Sequence, residues 1–222
     1  MNTSKLYWYW VLLIILALPL QACTTTNSAK SVEGWVVDAE THQPLEGVNV
    51  VAHWSMHIPG FNGQEEIIKL MESVTDKNGR FYFPAWGPEP VPPDIPWDAF
   101  RGFEYPGIAF FKSGYEEKGV SNEISGPRPK AGVTESDWNG KTIEMKKFKG
   151  SLEVYAILPP TIISGYGNCG WKKIPNAMVA VFKEAERLNQ QKIDNSWPTI
   201  RDLENDGEKC GSVRDFFKEY LK

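Results

Sequence analysis

Between residues 32 and 146 the chain is cut into short runs in which apolar and polar residues alternate, and Gly, Pro or Asn-Gly separates one run from the next. Alternation with a period of two sends successive side chains to opposite faces of a strand, so this stretch can bury one face of a sheet but not the stripe of a long helix. Val32, Gly34 and Val36 alternate with Glu33, Trp35 and Val37, and a turn is expected over residues 39–44. A second strand opens at Gly47 and carries Val48, Val50, Ala52 and Trp54 on one face. A third is expected over 69–75, closed by Asp76-Lys77-Asn78-Gly79, whose Asn-Gly pair accepts the positive φ angles of a tight turn. Phe81 and Phe83 then share a face, and further strands are expected over 107–112, 116–120 and 141–146. Short strands in this number, with no long helix between them, predict a mainly β fold, an antiparallel sandwich over residues 32–148.

Beyond Gly150 the pattern changes. Residues 151–158 read as one more strand, ended by Pro159-Pro160. Pro175 opens a helix in which Met178, Val181, Phe182, Ala185 and Leu188 recur at helical spacing, and proline suits a first turn. Ser212 and Asp215 have the spacing of a capping box ahead of an apolar stripe of Val213, Phe216, Phe217, Tyr220 and Leu221. Residues 149–222 are therefore expected to form a small helical segment whose two helices pack against the sandwich or each other.

The first residues differ from all of this. Lys5 precedes an uncharged run, 6–20, which as a helix would rise roughly 22 Å, short of the ~30 Å hydrocarbon core. That is the shape of a signal peptide rather than of a span. Directly after it, Leu20-Gln21-Ala22-Cys23 resembles the lipobox of bacterial lipoproteins, with Gln21 a less usual choice. The resemblance implies cleavage after residue 22, acyl chains including palmitate on Cys23, and attachment to a membrane through that lipid. Thr24 in place of Asp resembles lipoproteins sent on to the outer membrane, here with the body facing the periplasm. Residues 23–31 are then expected to be a lipidated tether, since 24–30 are small and polar. An ordinary secreted protein or an uncleaved anchor is the alternative.

Cleavage removes one charge, Lys5, and takes the net charge from -4 to -5. Neither value supplies a basic surface to gather phosphates, so nucleic acid is not expected as a partner. Outside the lipobox Cys169 and Cys210 remain, an even pair in a compartment where disulfides persist, and a bridge between them is expected. Closing a loop of about 42 residues stabilises a fold by at most ~4 kcal/mol. Two unpaired buried thiols are the alternative.

Gly34-Trp35-Val36-Val37-Asp38, then Thr41, Pro44-Leu45 and Gly47-Val48-Asn49-Val50, is similar to carboxypeptidase regulatory-like domains. Thr75-Asp76, Gly79, Phe81 and Phe83 continue the pattern, and Phe111-Lys112-Ser113-Gly114-Tyr115 resembles the family's late Lys-x-Gly-Tyr step. The resemblance implies a transthyretin-like sandwich. It names no reaction, because the family is a module joined to peptidases, receptors and surface proteins. The chain departs from the pattern in a long connection over 55–68 and a Pro-rich insertion over 84–106, which loops accept at small entropic cost.

Candidate chemistry is sparse. His42, His53 and His57 are the only histidines, and the four-residue spacing of the last two falls on a strand and a loop rather than a helix, so no metal site and no cofactor are expected. No nucleophile elbow or phosphate loop is present, and no enzyme activity is expected. Asp76 and Asn78 beside Gly79 are read as a turn rather than a calcium loop. The Pro-rich insertion is the most suggestive surface: Trp86, Trp97, Phe100 and Tyr105 stand among prolines, and a stiff aromatic segment loses little entropy on docking. They are candidate partner-binding residues for an envelope protein, the alternative being that they cover an edge of the sandwich. Three functional readings remain: a non-catalytic binding or structural module, an immunity or inhibitor lipoprotein that masks a toxin or enzyme, and an enzyme with an unrecognised site.

Overall fold

The computed structural model describes residues 26–58, 64–90, 106–122, 133–163, 169–204 and 210–221, with the backbone alone for 57–58 and 64–65. The expected signal peptide and the lipid site at Cys23 lie outside the described residues, as do Trp97, Phe100 and Tyr105.

The described residues form ten strands in three sheets. In chain order they are β1 Thr26–Ala29, β2 Val32–Asp38, β3 Asn49–Ile58, β4 Gln64–Val74, β5 Arg80–Phe83, β6 Trp86–Pro90, β7 Gly107–Phe111, β8 Lys118–Val120, β9 Val133–Thr134 and β10 Lys141–Met145. One sheet runs β4-β3-β7-β8, a second β10-β2-β5 and a third β6-β1-β9. The fold is a mainly β sandwich with helices at its C-terminal end. Antiparallel pairs dominate it, but β10 lies parallel to β2 and β9 parallel to β1.

The alternation read from the sequence is what builds the sandwich. Val50, Ala52 and Trp54 of β3 point into one core with Val32 and Val36 of β2, Phe81 and Phe83. Trp54 meets Phe83 and Trp86 edge-on, with centroids 6.5 and 5.7 Å apart. Gly34 is where β2 is squeezed between its two neighbours: a Cβ there would stand 2.7 Å from the Phe81 ring and 2.8 Å from the Lys141 carbonyl oxygen. At Gly79 the backbone takes φ +73°, and a Cβ would lie 2.3 Å from the Val36 oxygen, so only glycine closes this turn without strain. Asp76 Oδ1 completes the turn by accepting the N–H groups of Asn78 and Arg80.

The opposite face of the β4-β3-β7-β8 sheet is also buried. Val51, Leu70 and Phe111 share a second core with the C-terminal segment. That segment contains α1 Leu152–Ile157, α2 Pro175–Gln190, α3 Ile200–Glu204 and α4 Val213–Phe217, with single 3₁₀ turns at Thr161–Ile163 and Gly170–Lys173. The layers are thus sheet, sheet and helix. α2 starts on Pro175 and buries Met178, Val181, Phe182, Ala185 and Leu188, the residues its spacing selected. Ser212 accepts from the Asp215 N–H at the start of α4. Cys169 and Cys210 are bridged, with Cα atoms 5.5 Å apart.

Four expectations are corrected. Residues 26–29 are not tether but strand β1, because Asn27 and Ala29 turn inward and small side chains let β1 approach Gly87, where a Cβ would stand 2.3 Å from the Asn27 oxygen. The long connection over 55–68 is mostly strand, since β3 continues to Ile58 and β4 begins at Gln64, the two paired with one bulge between Trp54 and Ser55. The Pro-rich insertion begins as strand β6, with Thr26 opposite Pro90. Residues 151–158 are helical: Ser151 accepts from the Val154 N–H, Glu153 sits in the first turn, and only Tyr155 and Ala156 are buried, so no sheet face is served.

Candidate functional site

The site is best built outward from Asp38, the last residue of β2. Its Oδ1 accepts the N–H groups of Glu40 and Thr41, both at 2.9 Å, and those two backbone donors, joined by the Tyr115 hydroxyl, hold the carboxyl well below the usual range despite its burial. Tyr115 donates to Asp38 Oδ2 at 2.9 Å, and burial together with that carboxylate pushes its hydroxyl up to about 12. An isolated bridge from Tyr115 to Lys147 fixes the backbone behind the ring.

A second tyrosine faces the same space from α1. The Tyr155 oxygen accepts from the Gly114 N–H at 3.3 Å, and burial raises its hydroxyl above the ordinary range. Behind it Glu184 of α2 is buried at 3% exposure. Its carboxylate accepts from Ser113 Oγ at 2.5 Å and from Arg187 Nε and Nη2 at 2.8 and 2.7 Å. Desolvation pushes Glu184 up, but the Arg187 and Ser113 donors and the Arg187 charge outweigh it, and the group titrates below its ordinary value.

Between these tyrosines lies a cleft of about 370 Å³. Its rings form a chain: Phe148 to Tyr155 at 5.1 Å, Tyr155 to Trp197 at 5.2 Å, and Trp197 to Phe111 at 5.8 Å. Pro159 and Pro160 close one side, and Glu116 and Glu117 stand among the lining residues. Glu117 is fixed there, accepting from the N–H groups of Thr161 and Ile162 and from the Thr161 hydroxyl. At the cleft's rim Val154 of α1 and Leu158 just after it are 55% and 72% exposed, and Ile157 beside them is 64% exposed. A larger, more open depression of about 900 Å³ shares Trp197 with the cleft and mixes charged groups such as Lys183, Glu186 and Arg201 with apolar ones such as Phe182 and Ile200. Two of its charged groups are engaged, Asp202 accepting from Thr199 and Arg214 donating to Glu204.

Of the residues singled out in the sequence, Trp86 is 7% exposed and packs on Trp54, its ring turned into the core rather than toward a partner. His42 is an exposed side chain 3.6 Å from Glu144, and His53 of β3 lies against Gly107, where a Cβ would meet its ring at 2.4 Å. Among the described residues no group of three or more His, Cys, Asp or Glu side chains converges as a metal site would require. Sequence reasoning missed the cleft. Its one legible signal was the apolar trio Val154, Ile157 and Leu158 ahead of Pro159-Pro160, which at helical spacing falls on one face.

No protein-family profile matches the chain, and no curated protein does. Among solved structures it is similar to 3-chlorocatechol 1,2-dioxygenase from Rhodococcus opacus 1CP, at 18% identity and a TM-score of 0.33, covering 59% of this chain and 64% of that one. It is also similar to the group B streptococcus pilus 2b backbone protein, at 12% identity and a TM-score of 0.28, covering 55% and 42%. A third is the full-length major pilin SpaD from Corynebacterium diphtheriae, at 12% and 0.29, covering 55% and 30%. The chain spans less than two thirds of the length of each.

Proposed function

We propose that the chain is a lipid-anchored envelope protein whose folded body is a non-catalytic binding or structural module. The observation that carries the reading is the Leu20-Gln21-Ala22-Cys23 sequence after an uncharged run, followed within three residues by strand β1. A body that begins at Thr26 is held against the bilayer that the lipid enters, and two or three acyl chains make such an anchor effectively stable. The Cys169–Cys210 bridge suits an oxidising compartment outside the cytoplasm. Among the described residues no helix is long and apolar enough to cross a membrane.

The carboxypeptidase regulatory-like reading of residues 32–146 is supported by where its motif residues stand. Thr75 donates to the Leu45 oxygen and accepts from the Val48 N–H, and Gly79 closes the following turn, so the motif joins the first two hairpins. The binding role is supported by the cleft, whose two tyrosyl oxygens are both engaged and whose rings are therefore held in place before any ligand arrives. Radiolabelled palmitate fed to cells should enter the natural chain and be lost in Cys23→Ala; equal labelling of the two would end the anchored reading.

A further inference from the structure

We infer that the cleft between Tyr115, Phe148, Tyr155 and Trp197 is a docking site for an extended peptide segment of a partner protein, one that presents a lysine or arginine flanked by apolar residues. The inference deepens the reading of the chain as an anchored binding module and rests on it.

Three features of the cleft select this occupant. The first is charge. Glu116 and Glu117 are the only ionisable carboxylates among the lining residues, and no Lys or Arg lines the cavity. Aromatic faces carry the negative end of a quadrupole, so rings and carboxylates together favour a cation on an apolar stem. The second is rigidity. The Asp38 carboxylate holds the Tyr115 ring, the Gly114 N–H holds Tyr155, and the Thr161 and Ile162 N–H groups hold Glu117, so little freedom is lost on binding.

The third feature separates a chain from a small molecule. At about 370 Å³ the cavity is at the lower end of the range for small-ligand sites, and a small ligand would fill it and stop. The apolar surface does not stop there. Val154 and Leu158 form part of the cleft's rim while remaining largely exposed, and Ile157 at the end of α1, 64% exposed, carries the apolar surface past it. A peptide whose cationic residue enters the cleft lays its neighbouring apolar residues on that strip, and proline on either side suits the aromatic walls.

The test titrates synthetic acetyl-Leu-Pro-Z-Pro-Leu-amide peptides, with Z lysine, arginine, norleucine or glutamate, into the full chain in detergent micelles by calorimetry. The lysine and arginine peptides should bind at least fivefold more tightly than norleucine, and the glutamate peptide more weakly still. Glu116→Gln and Leu158→Ser, both at exposed positions, should each cost at least fivefold for the lysine peptide while leaving the thermal midpoint unchanged. Equal affinity for lysine and norleucine, or no binding of any peptide at millimolar concentration, overturns the proposal. So does hexylammonium binding as tightly as the lysine peptide, which would assign the site to a small cation, or self-association that the peptide cannot displace, which would assign it to a second copy. Cys23→Ala removes the anchor without touching the cleft, so peptide binding by that variant is read separately from the failure of anchoring.

Discussion

Glu184 shows how a single ionised group can join two layers of this molecule. It belongs to α2, yet one of its donors, Ser113, comes from the turn after β7. A carboxylate nearly excluded from water keeps its charge only if fixed donors replace the lost hydration, which Arg187 and Ser113 do here. Its folded value lies below the ordinary 4.5, so the ionised form stabilises the folded state above that pH. The contribution is lost as pH falls through the folded value. Glu184→Gln keeps the shape and removes the charge, and Arg187 is partly exposed, so a loss of about 2 kcal/mol is expected at pH 7. Because the glutamine does not titrate, the gap between natural and variant stability should narrow as pH drops from 5 toward 3. Urea unfolding at stepped pH measures it; a gap that stays constant would mean that charge has no part in the junction.

At the scale of elements, α2 reaches its sheet without a cap of its own. Ile174 provides no side-chain acceptor, and Glu72 of β4 takes that place, accepting from the N–H groups of Asn176 and Ala177 at 3.1 Å and from Asn176 Nδ2 at 2.7 Å. Glu72→Ala should cost about 1–2 kcal/mol, the value of a helix cap aided by the dipole. The large apolar residues buried along α2, Met178, Val181, Phe182 and Leu188 among them, contribute about 1.5–3 kcal/mol each, so the helix stays docked and only its first turn opens. Hydrogen exchange should therefore speed up at Asn176 and Ala177 and stay slow at Val181 and Ala185. α2 was legible in the sequence because five apolar residues repeat at helical spacing behind a proline. β2, β3 and β5 were legible because each presents one wholly buried face. β1 was not, since Thr-Asn-Ser-Ala carries almost no apolar signal and folds through close backbone approach to Gly87. α1 was not, since Leu152, Val154 and Ala156 alternate like a strand, and a cap at Ser151 decides against the alternation. The cleft was the least legible. Tyr115 stands in the Lys-Ser-Gly-Tyr step, but Phe148 and Tyr155 come more than 30 residues later and Trp197 lies further on in a stretch without regular structure, so no single motif brings the group together.

Across the whole molecule, the register of the strands gives the sandwich two unlike ends. Thr26 pairs with Pro90, and Asn27 Nδ2 donates to Met56 Sδ, so the chain enters beside the far end of β3. Phe111, which lines the cleft, pairs with Asn49 at the near end of the same strand. Met56 and Asn49 are seven residues apart on β3, which separates the two ends by roughly 23 Å at the rise of an extended strand. If Cys23 carries lipid, the entry end is the one pressed to the bilayer, and the cleft with Val154, Ile157 and Leu158 points away from it. With Cys169 and Cys210 bridged and Cys23 acylated, an introduced cysteine is the one free thiol, which permits a direct measurement. A donor dye at Glu66→Cys, on β4 opposite Met56, should transfer energy efficiently to an acceptor lipid when the protein sits in vesicles. The same dye at Ile157→Cys should transfer far less, because energy transfer falls steeply over a separation of this size. Equal efficiencies would show the body lying on its side, with the cleft facing the membrane and unable to receive a partner from the aqueous phase.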